Sequence, residues 1–261
     1  MAPTWLEFSR EIGKIDDRII RRFFMLKGSI SALVTPMING EVDTSTLQAL
    51  LDWHVLSGSH GVVVLGTTGE SATLTDQERQ SIVDITVEHI NGRIPVLVGT
   101  GSNATAKAIA YTQWAKDAGA DAALIVTPYY NKPDQAGLYA HFTAIADAVD
   151  IPQVLYNVPG GTGCDLLSAT AARLAQHPNI VGLKDATGDL GRLTEMIEQH
   201  GAPGTRILPG DDSSGLQVKG NSANVDKITK DAKYIDSVKF LGFKNKMDYD
   251  VLNTYFDVNV K

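Results

Sequence analysis

The sequence predicts an α/β fold of repeated parallel βα units, a (βα)8 TIM barrel whose eighth strand is incomplete or atypically closed. Three observations carry this. Short apolar runs recur along the chain, several of them apolar throughout, as strands buried on both faces must be. Amphipathic stretches of helical length separate them. The alternation recurs in one order from residue 28 to residue 215, and strand and helix alternating in this way give parallel sheets with right-handed crossovers.

The runs are Ile30 to Thr35, Gly61 to Gly66, Pro95 to Gly99, Ala122 to Thr127, Gln153 to Asn157, Val181 to Lys184 and Arg206 to Gly210. The helical stretches between them include Thr44 to Ser57, Asp76 to Asn91, Thr105 to Ala118 and Gln135 to Val149. Closure of an eight-stranded barrel needs one further strand. Before this region, residues 1–27 read as an amphipathic helical extension. Phe8, Ile12, Ile15, Ile19, Phe23 and Leu26 fall at three- and four-residue steps and make one apolar stripe that docks on the body of the protein. After it, residues 216–261 read as an atypical tail, richer in Lys, Asp and Asn and weak in periodicity. Ser237 to Phe243 is a candidate strand there, and Tyr249 to Phe256 a short helix or strand.

Bulk properties narrow the function. A chain of 261 residues with 43% hydrophobic and 20% charged residues buries a full core. The net charge of -7 argues against nucleic acid or an anionic membrane as a partner, since both need clustered Lys and Arg. No apolar run reaches the length that spans a bilayer. Glu7, Arg10, Glu11 and Lys14 interrupt the opening segment, which fits neither a secretory signal nor a mitochondrial presequence, so the expected location is the cytoplasm. The lone cysteine, Cys164, has no dedicated base in view and reads as a packing residue. The six histidines show no metal-ligand spacing, and no cofactor is expected.

In a parallel barrel the chemistry gathers where the strands end. The second run is followed by Gly66-Thr67-Thr68-Gly69-Glu70-Ser71, the fourth ends in Thr127-Pro128-Tyr129-Tyr130-Asn131, and Tyr156-Asn157-Val158-Pro159 closes the fifth. Lys184-Asp185 sits in the sixth and Gly210-Asp211-Asp212 ends the seventh. Hydroxyls, phenols and one amine therefore meet on one rim. Lys184 is the most informative residue, because a lysine directed into a barrel is costly unless its charge is paired or suppressed. Desolvation favours the neutral amine, whose lone pair a ketone traps as an imine. An edge lysine, or a buried ion pair with Asp185, is the competing explanation. Tyr156 ends the neighbouring strand, where its phenol either shuttles protons or caps the core. Thr67 and Thr68 lie in a glycine-bracketed turn suited to a carboxylate and a proton relay, or to a helix cap, with Glu70 as a supporting group. Gly99-Thr100-Gly101-Ser102-Asn103-Ala104 imitates a dinucleotide-binding turn, but it comes third in the series and no acidic residue ends the next strand.

The run Gly28-Ser29-Ile30 to Thr35-Pro36-Met37, the Gly66 to Ser71 turn, Thr127 to Asn131, Tyr156 to Pro159 and Gly182-Leu183-Lys184-Asp185-Ala186-Thr187-Gly188 together resemble the dihydrodipicolinate synthase family of pyruvate-dependent class I aldolases and lyases. The resemblance runs from about Phe24 to Asp212. It implies a barrel that assembles as a homo-oligomer, dimer or tetramer. It also implies condensation of pyruvate with L-aspartate 4-semialdehyde, an early step of lysine biosynthesis, with no metal or organic cofactor. Position by position, it makes Lys184 the Schiff-base lysine and Tyr156 the proton-transferring phenol. Thr67 links Tyr156 to Tyr130, which enters from a neighbouring subunit, and Thr68 binds the pyruvate carboxylate. Gly210 and Asp211 are further substrate-binding positions.

Three departures from the family pattern stand out. The family's arginine for the second substrate's carboxylate is replaced by Gly161, and glycine supplies no charge. The strand that normally follows Gly-Asp-Asp and closes the barrel has no counterpart after Asp212. An acidic residue that holds the feedback inhibitor lysine is replaced by Lys107, beside Tyr129 and Asn103, so lysine feedback is expected to be weak. Three readings therefore stay open: an active synthase, a sister keto-acid aldolase with another aldehyde acceptor, and a catalytically impaired relic.

Overall fold

The computed structural model of the chain describes residues 26, 28–189, 191–192 and 196, and residues 206–209 as backbone. The expected extension over 1–27 (apart from Leu26), the tail over 216–261, and Gly210 and Asp211 lie outside the described residues.

The chain enters a strand at Ile30–Ala32 (β1), makes a small hairpin from Met37–Ile38 (β2) and Glu41–Val42 (β3), and then begins the alternation. Helix Thr44–Leu56 (α1) leads to Gly61–Val64 (β4), and Asp76–Ile90 (α2) to Val96–Gly99 (β5). Helix Thr105–Asp117 (α3) leads to Ala122–Val126 (β6), and Gln135–Ala148 (α4) to Gln153–Asn157 (β7). A one-turn helix Pro159–Thr162 (α5) and a short helix Ser168–Leu174 (α6) precede Ile180–Asp185 (β8) and Arg206–Pro209 (β9). The large sheet has seven strands in the order β1-β4-β5-β6-β7-β8-β9, and every adjacent pair is parallel. Each strand pairs with the next large-sheet strand in the chain, which is the winding of a (βα)8 barrel. Among the described residues β1 and β9, the two ends of this order, do not pair with each other. All seven strands fall inside the expected apolar runs or within one residue of them. The first run is shorter than expected, because Leu33 to Pro36 leave the sheet to reach the unanticipated β2–β3 hairpin.

Local chemistry explains the helix starts. Asp43 caps α1, taking hydrogen bonds from Thr46 N at 3.0 Å and from Ser45 Oγ at 2.7 Å. Thr75 and Glu78 form a reciprocal capping box on α2, and Asp134 caps α4 through Gly137 N at 2.7 Å.

Successive strand residues serve opposite layers. Val62, Val64, Val96 and Val98 face α1 and α2. Ala123, Ile125, Leu155 and Leu183 join the cluster with Leu138, Phe142 and Ile145 of α4. Their neighbours Val63, Leu97, Ala122, Leu124, Val154 and Tyr156 turn the other way and pack together with Leu26 as the barrel interior. This two-sided burial accounts for the continuous apolar runs. Cys164 is buried in the α4 cluster, and burial pushes its thiol up, so it packs rather than reacts.

Several polar side chains are buried in the helical layer, His141 among them. His141 of α4 shares a hydrogen bond at 2.9 Å between Nδ1 and Thr105 Oγ1, while its Nε2 is buried with no hydrogen-bond partner among the described residues. Burial pushes its pKa down from 6.5 to about 4. The unfolded chain thus takes up this proton before the folded one does. The stability carried by the neutral ring is complete above pH 6.5 and is lost as pH falls toward about 4. Melting curves should accordingly show the wild type losing stability across that interval faster than a His141→Gln variant.

Candidate active site

The site is built where β7 and β8 end side by side. Their register sets Tyr156 opposite Lys184 and Asn157 opposite Asp185. Because Tyr156 belongs to the interior cluster, its partner Lys184 faces the interior as well. Tyr156 is only 2% exposed, Lys184 is half-buried, and Lys184 Nζ stands 4.5 Å from the centroid of the Tyr156 ring. An ammonium over a phenol ring is a favourable contact. It also puts a nucleophilic nitrogen beside a group able to carry protons, on a wall that is otherwise apolar.

Asp185 has other partners than its neighbour in sequence. Its carboxylate accepts from Thr187 N at 2.9 Å and lies 3.4 Å from Arg192 Nε. Arg192 reaches both oxygens of Asp165 through Nη1, each at 2.9 Å, and donates to the carbonyl of Leu166. Asp165 also accepts from Asn157 Nδ2 at 2.9 Å, and Asn157 Oδ1 accepts from Leu166 N at 3.0 Å. The competing explanation of Lys184 as the ion-pair partner of Asp185 thereby loses its main support. Burial pushes the Asp165 carboxyl up, but Arg192 and Asn157 outweigh it and hold the group below its ordinary value.

The other expected positions line the rim less tightly. Gly66 and Gly69 are buried and close the turn by Gly69 N donating to Gly66 O at 3.2 Å, which leaves Thr67 and Thr68 exposed. Neither threonine hydroxyl has a hydrogen-bond partner among the described residues, and neither residue caps a helix. Glu70 sits in left-handed backbone with φ 52° and caps a short 3-10 turn, but its side chain makes no capping hydrogen bond. Tyr130 is 89% exposed with φ 71°, so within one chain it does not reach Thr67 or Tyr156 to complete a relay.

The turn that imitates a dinucleotide site has a packing explanation. A Cβ on Gly99 would come within 1.9 Å of the Leu65 carbonyl, and one on Gly101 within 2.5 Å of Val126 N. These glycines let backbones approach one another. The segment leads straight from β5 into α3, whose N-cap is Ala104.

A family model described as the dihydrodipicolinate synthetase family matches residues 25–222. The chain belongs to the dihydrodipicolinate synthetase family. The 4-hydroxy-tetrahydrodipicolinate synthase of Cellvibrio japonicus is 54% identical over 195 residues, which are 74% of this chain and 67% of that protein. The enzyme of that name from Pseudomonas putida is 50% identical over 210 residues, 77% of this chain and 72% of that one. The crystal structure of chloride-inhibited dihydrodipicolinate synthase from Acinetobacter baumannii complexed with pyruvate superimposes with a TM-score of 0.74 at 44% identity, covering 88% of this chain and 80% of that one. Against such relatives the chain spans about two thirds of their length.

Two departures from the family pattern now have surroundings. Gly161 lies exposed in α5 with Val158 Cγ2 at 3.7 Å as the contact for an added Cβ, and nothing lies within 4 Å of one on Gly160. The turn carries no charge, but the Lys132 side chain drapes over Gly163, where a Cβ would sit 2.8 Å from Lys132 Cε and 3.4 Å from its Nζ. Lys107 Nζ lies 3.6 Å from Asp76 Oδ1 and 5.1 Å from the Tyr111 ring, on whose face the Arg79 guanidinium also rests at 4.2 Å. Arg79 is buried and donates to the carbonyls of Ser71 at 2.8 Å and Gly99 at 3.1 Å. Arg79 and Tyr111 border a cleft of about 360 Å³ between α2 and α3, away from Lys184.

The roles of Arg192, Asp165 and Arg79 have no signal in the sequence. Each acts through partners 7 to 27 residues away along the chain, and no short motif joins them. Because Gly161 has ordinary backbone and open space, Gly161→Arg should fold normally, with a melting temperature within about 2 °C of the parent by differential scanning calorimetry.

Proposed function

We propose that the chain condenses pyruvate with L-aspartate 4-semialdehyde to 4-hydroxy-tetrahydrodipicolinate, with pyruvate held as an imine on Lys184. The observation that carries this reading is the Lys184 amine standing 4.5 Å from the Tyr156 ring centroid at the end of paired parallel strands. Membership of the family, and relatives bearing that enzyme's name, support it.

In this reading the amine attacks the pyruvate ketone, and the resulting carbinolamine loses water to form the imine. Proton transfers in these steps pass through Tyr156, assisted by Thr67. Loss of a methyl proton gives the enamine, whose carbon attacks the aldehyde and forms the new C–C bond. The amino group of the acceptor then displaces Lys184 from the imine carbon, closing the ring and restoring the enzyme. One water is released overall. Thr68, Gly210 and Asp211 hold pyruvate, with Thr68 on its carboxylate. Tyr130, exposed here, serves the site of a neighbouring copy, which makes the working form a homo-oligomer in the cytoplasm. The extension over 1–27 and the tail over 216–261 flank the catalytic domain over 28–215. Among the described residues no helix is long and apolar enough to cross a membrane.

A second reading is favoured by one specific observation. The α5 turn, where the family anchors the acceptor carboxylate, presents Gly160 and Gly161 and open space. That suits a sister aldolase with a different aldehyde. Both enzymatic readings require an adduct on Lys184, whereas an impaired relic does not.

Incubation with pyruvate and borohydride should add one reduced pyruvyl group at Lys184, read by peptide mass. Lys184→Ala should abolish it, and Tyr156→Phe should slow its formation by about 100-fold. Absence of any adduct in the wild type would refute the imine. A coupled assay with L-aspartate 4-semialdehyde then separates the synthase from the aldolase, and under the first reading Gly161→Arg raises its rate.

The cation Lys107, standing at the family's acidic position beside Tyr129 and Asn103, disfavours a cationic effector there. Titration of free L-lysine into the coupled assay should leave the rate nearly unchanged, and strong inhibition would overturn this assignment.

A further inference from the structure

The direction of Lys184 depends on a register that is not uniform. At the start of β8, Gln153 pairs with Ile180 but Val154 pairs with Gly182, so Val181 is an extra residue in that strand. Beyond this irregularity Lys184 faces the interior only if the next pairs hold, because a shift by one residue exchanges the two faces of a strand. The far end of the pair is where the Arg192 network sits. Asn157 and Asp185 are opposite one another, and Ala186 N donates to Asn157 O at 2.8 Å. Asn157 is tied to Asp165, Asp165 to Arg192, and Arg192 to Asp185. The circuit runs from one strand end through the α5–α6 connection and the segment after β8 back to the other strand end. Three of its members are sheltered, with Asn157 fully buried and the side chains of Arg192 and Asp185 12% and 10% exposed, while the Asp165 side chain is 39% exposed. Two carboxylates share one guanidinium, so loss of the guanidinium leaves both without their cation.

We infer that Arg192 is a positioning residue, which clamps Asp185 to the Asn157–Asp165 pair and so locks the β7–β8 register that turns Lys184 inward against Tyr156. The role rests on the imine reading only in its consequence for catalysis, since the register itself does not depend on which substrate is bound. Arg192 lies on the far side of the strand pair from the amine and touches no reacting atom in this scheme.

The test uses the full chain and two chemistries. Reductive methylation with formaldehyde and cyanoborohydride, read by peptide mass, reports how accessible Lys184 is without any pyruvate chemistry, with exposed Lys116 as the internal standard. In folded Arg192→Met protein, the Lys184 to Lys116 labelling ratio should rise several-fold over the wild type, and Arg192→Lys should fall between the two. The rate of pyruvate trapping at saturating pyruvate should drop by about tenfold or more, as expected for a displaced nucleophile, with little change in half-saturating pyruvate. In a Tyr156→Phe background the same Arg192→Met change should cost much less, because the phenol hydroxyl that the geometry aligns with the amine is already gone. An unchanged labelling ratio together with a trapping rate within about twofold of wild type overturns the inference. Should Arg192→Met fail to fold, Asp165→Asn opens the same circuit and is judged by the same ratio. A wild type that labels with formaldehyde but never traps pyruvate refutes the imine reading, and the labelling ratio still decides the clamp.

Discussion

The structure turns on the pairing of Tyr156 with Lys184. In a sheet buried on both sides, a side chain belongs either to the interior or to the helical layer, and strand register alone decides which. Val154 and Tyr156 of β7 face the interior, while Leu155 and Leu183 pack under the helices. Lys184 follows Leu183 and therefore enters the interior beside Tyr156. An amine on that wall is half-buried and faces an aromatic ring.

The same economy appears along the rim. Glycines occur where backbones must touch, as at Gly99 under the Leu65 carbonyl and Gly101 against Val126. Leu65, Glu70, Tyr130 and Lys132 take left-handed backbone in the loops that follow β4 and β6. Non-glycine residues in that region are held by their surroundings at some cost, and such positions cluster in loops that carry function. The parallel sheet supplies the rigid frame, and the loops after its strands carry the variation. Gly161 and Lys107, two departures from the family pattern, both lie outside the strands.

Charge is distributed with similar restraint. Arg79 is buried over Tyr111 and anchored by two carbonyls, and Arg192 is partly buried between two carboxylates. Buried guanidinium groups persist where planar hydrogen-bonding partners replace water. Both arginines join segments distant in sequence, one tying α2 to the end of β5 and the other tying the α5–α6 connection to β8.

The sequence by itself determined the order and kind of the elements. Seven apolar runs became the seven parallel strands, and the four long amphipathic stretches became α1 to α4, because period and turn chemistry are local properties. It also singled out Lys184 and Tyr156, since a lysine in an apolar run and a tyrosine near the end of the preceding one are conspicuous in one dimension. What only the tertiary structure decided were the facts that need two distant segments at once. These include the face Lys184 takes after the irregularity at Val181, the partners of Asp185, and the packing origin of Gly99 and Gly101. They include too the exposure of Tyr130 and the absence of an assembled threonine relay among the described residues. Strand register and burial are set by contacts across the sheet, and no window of sequence contains both sides of such a contact.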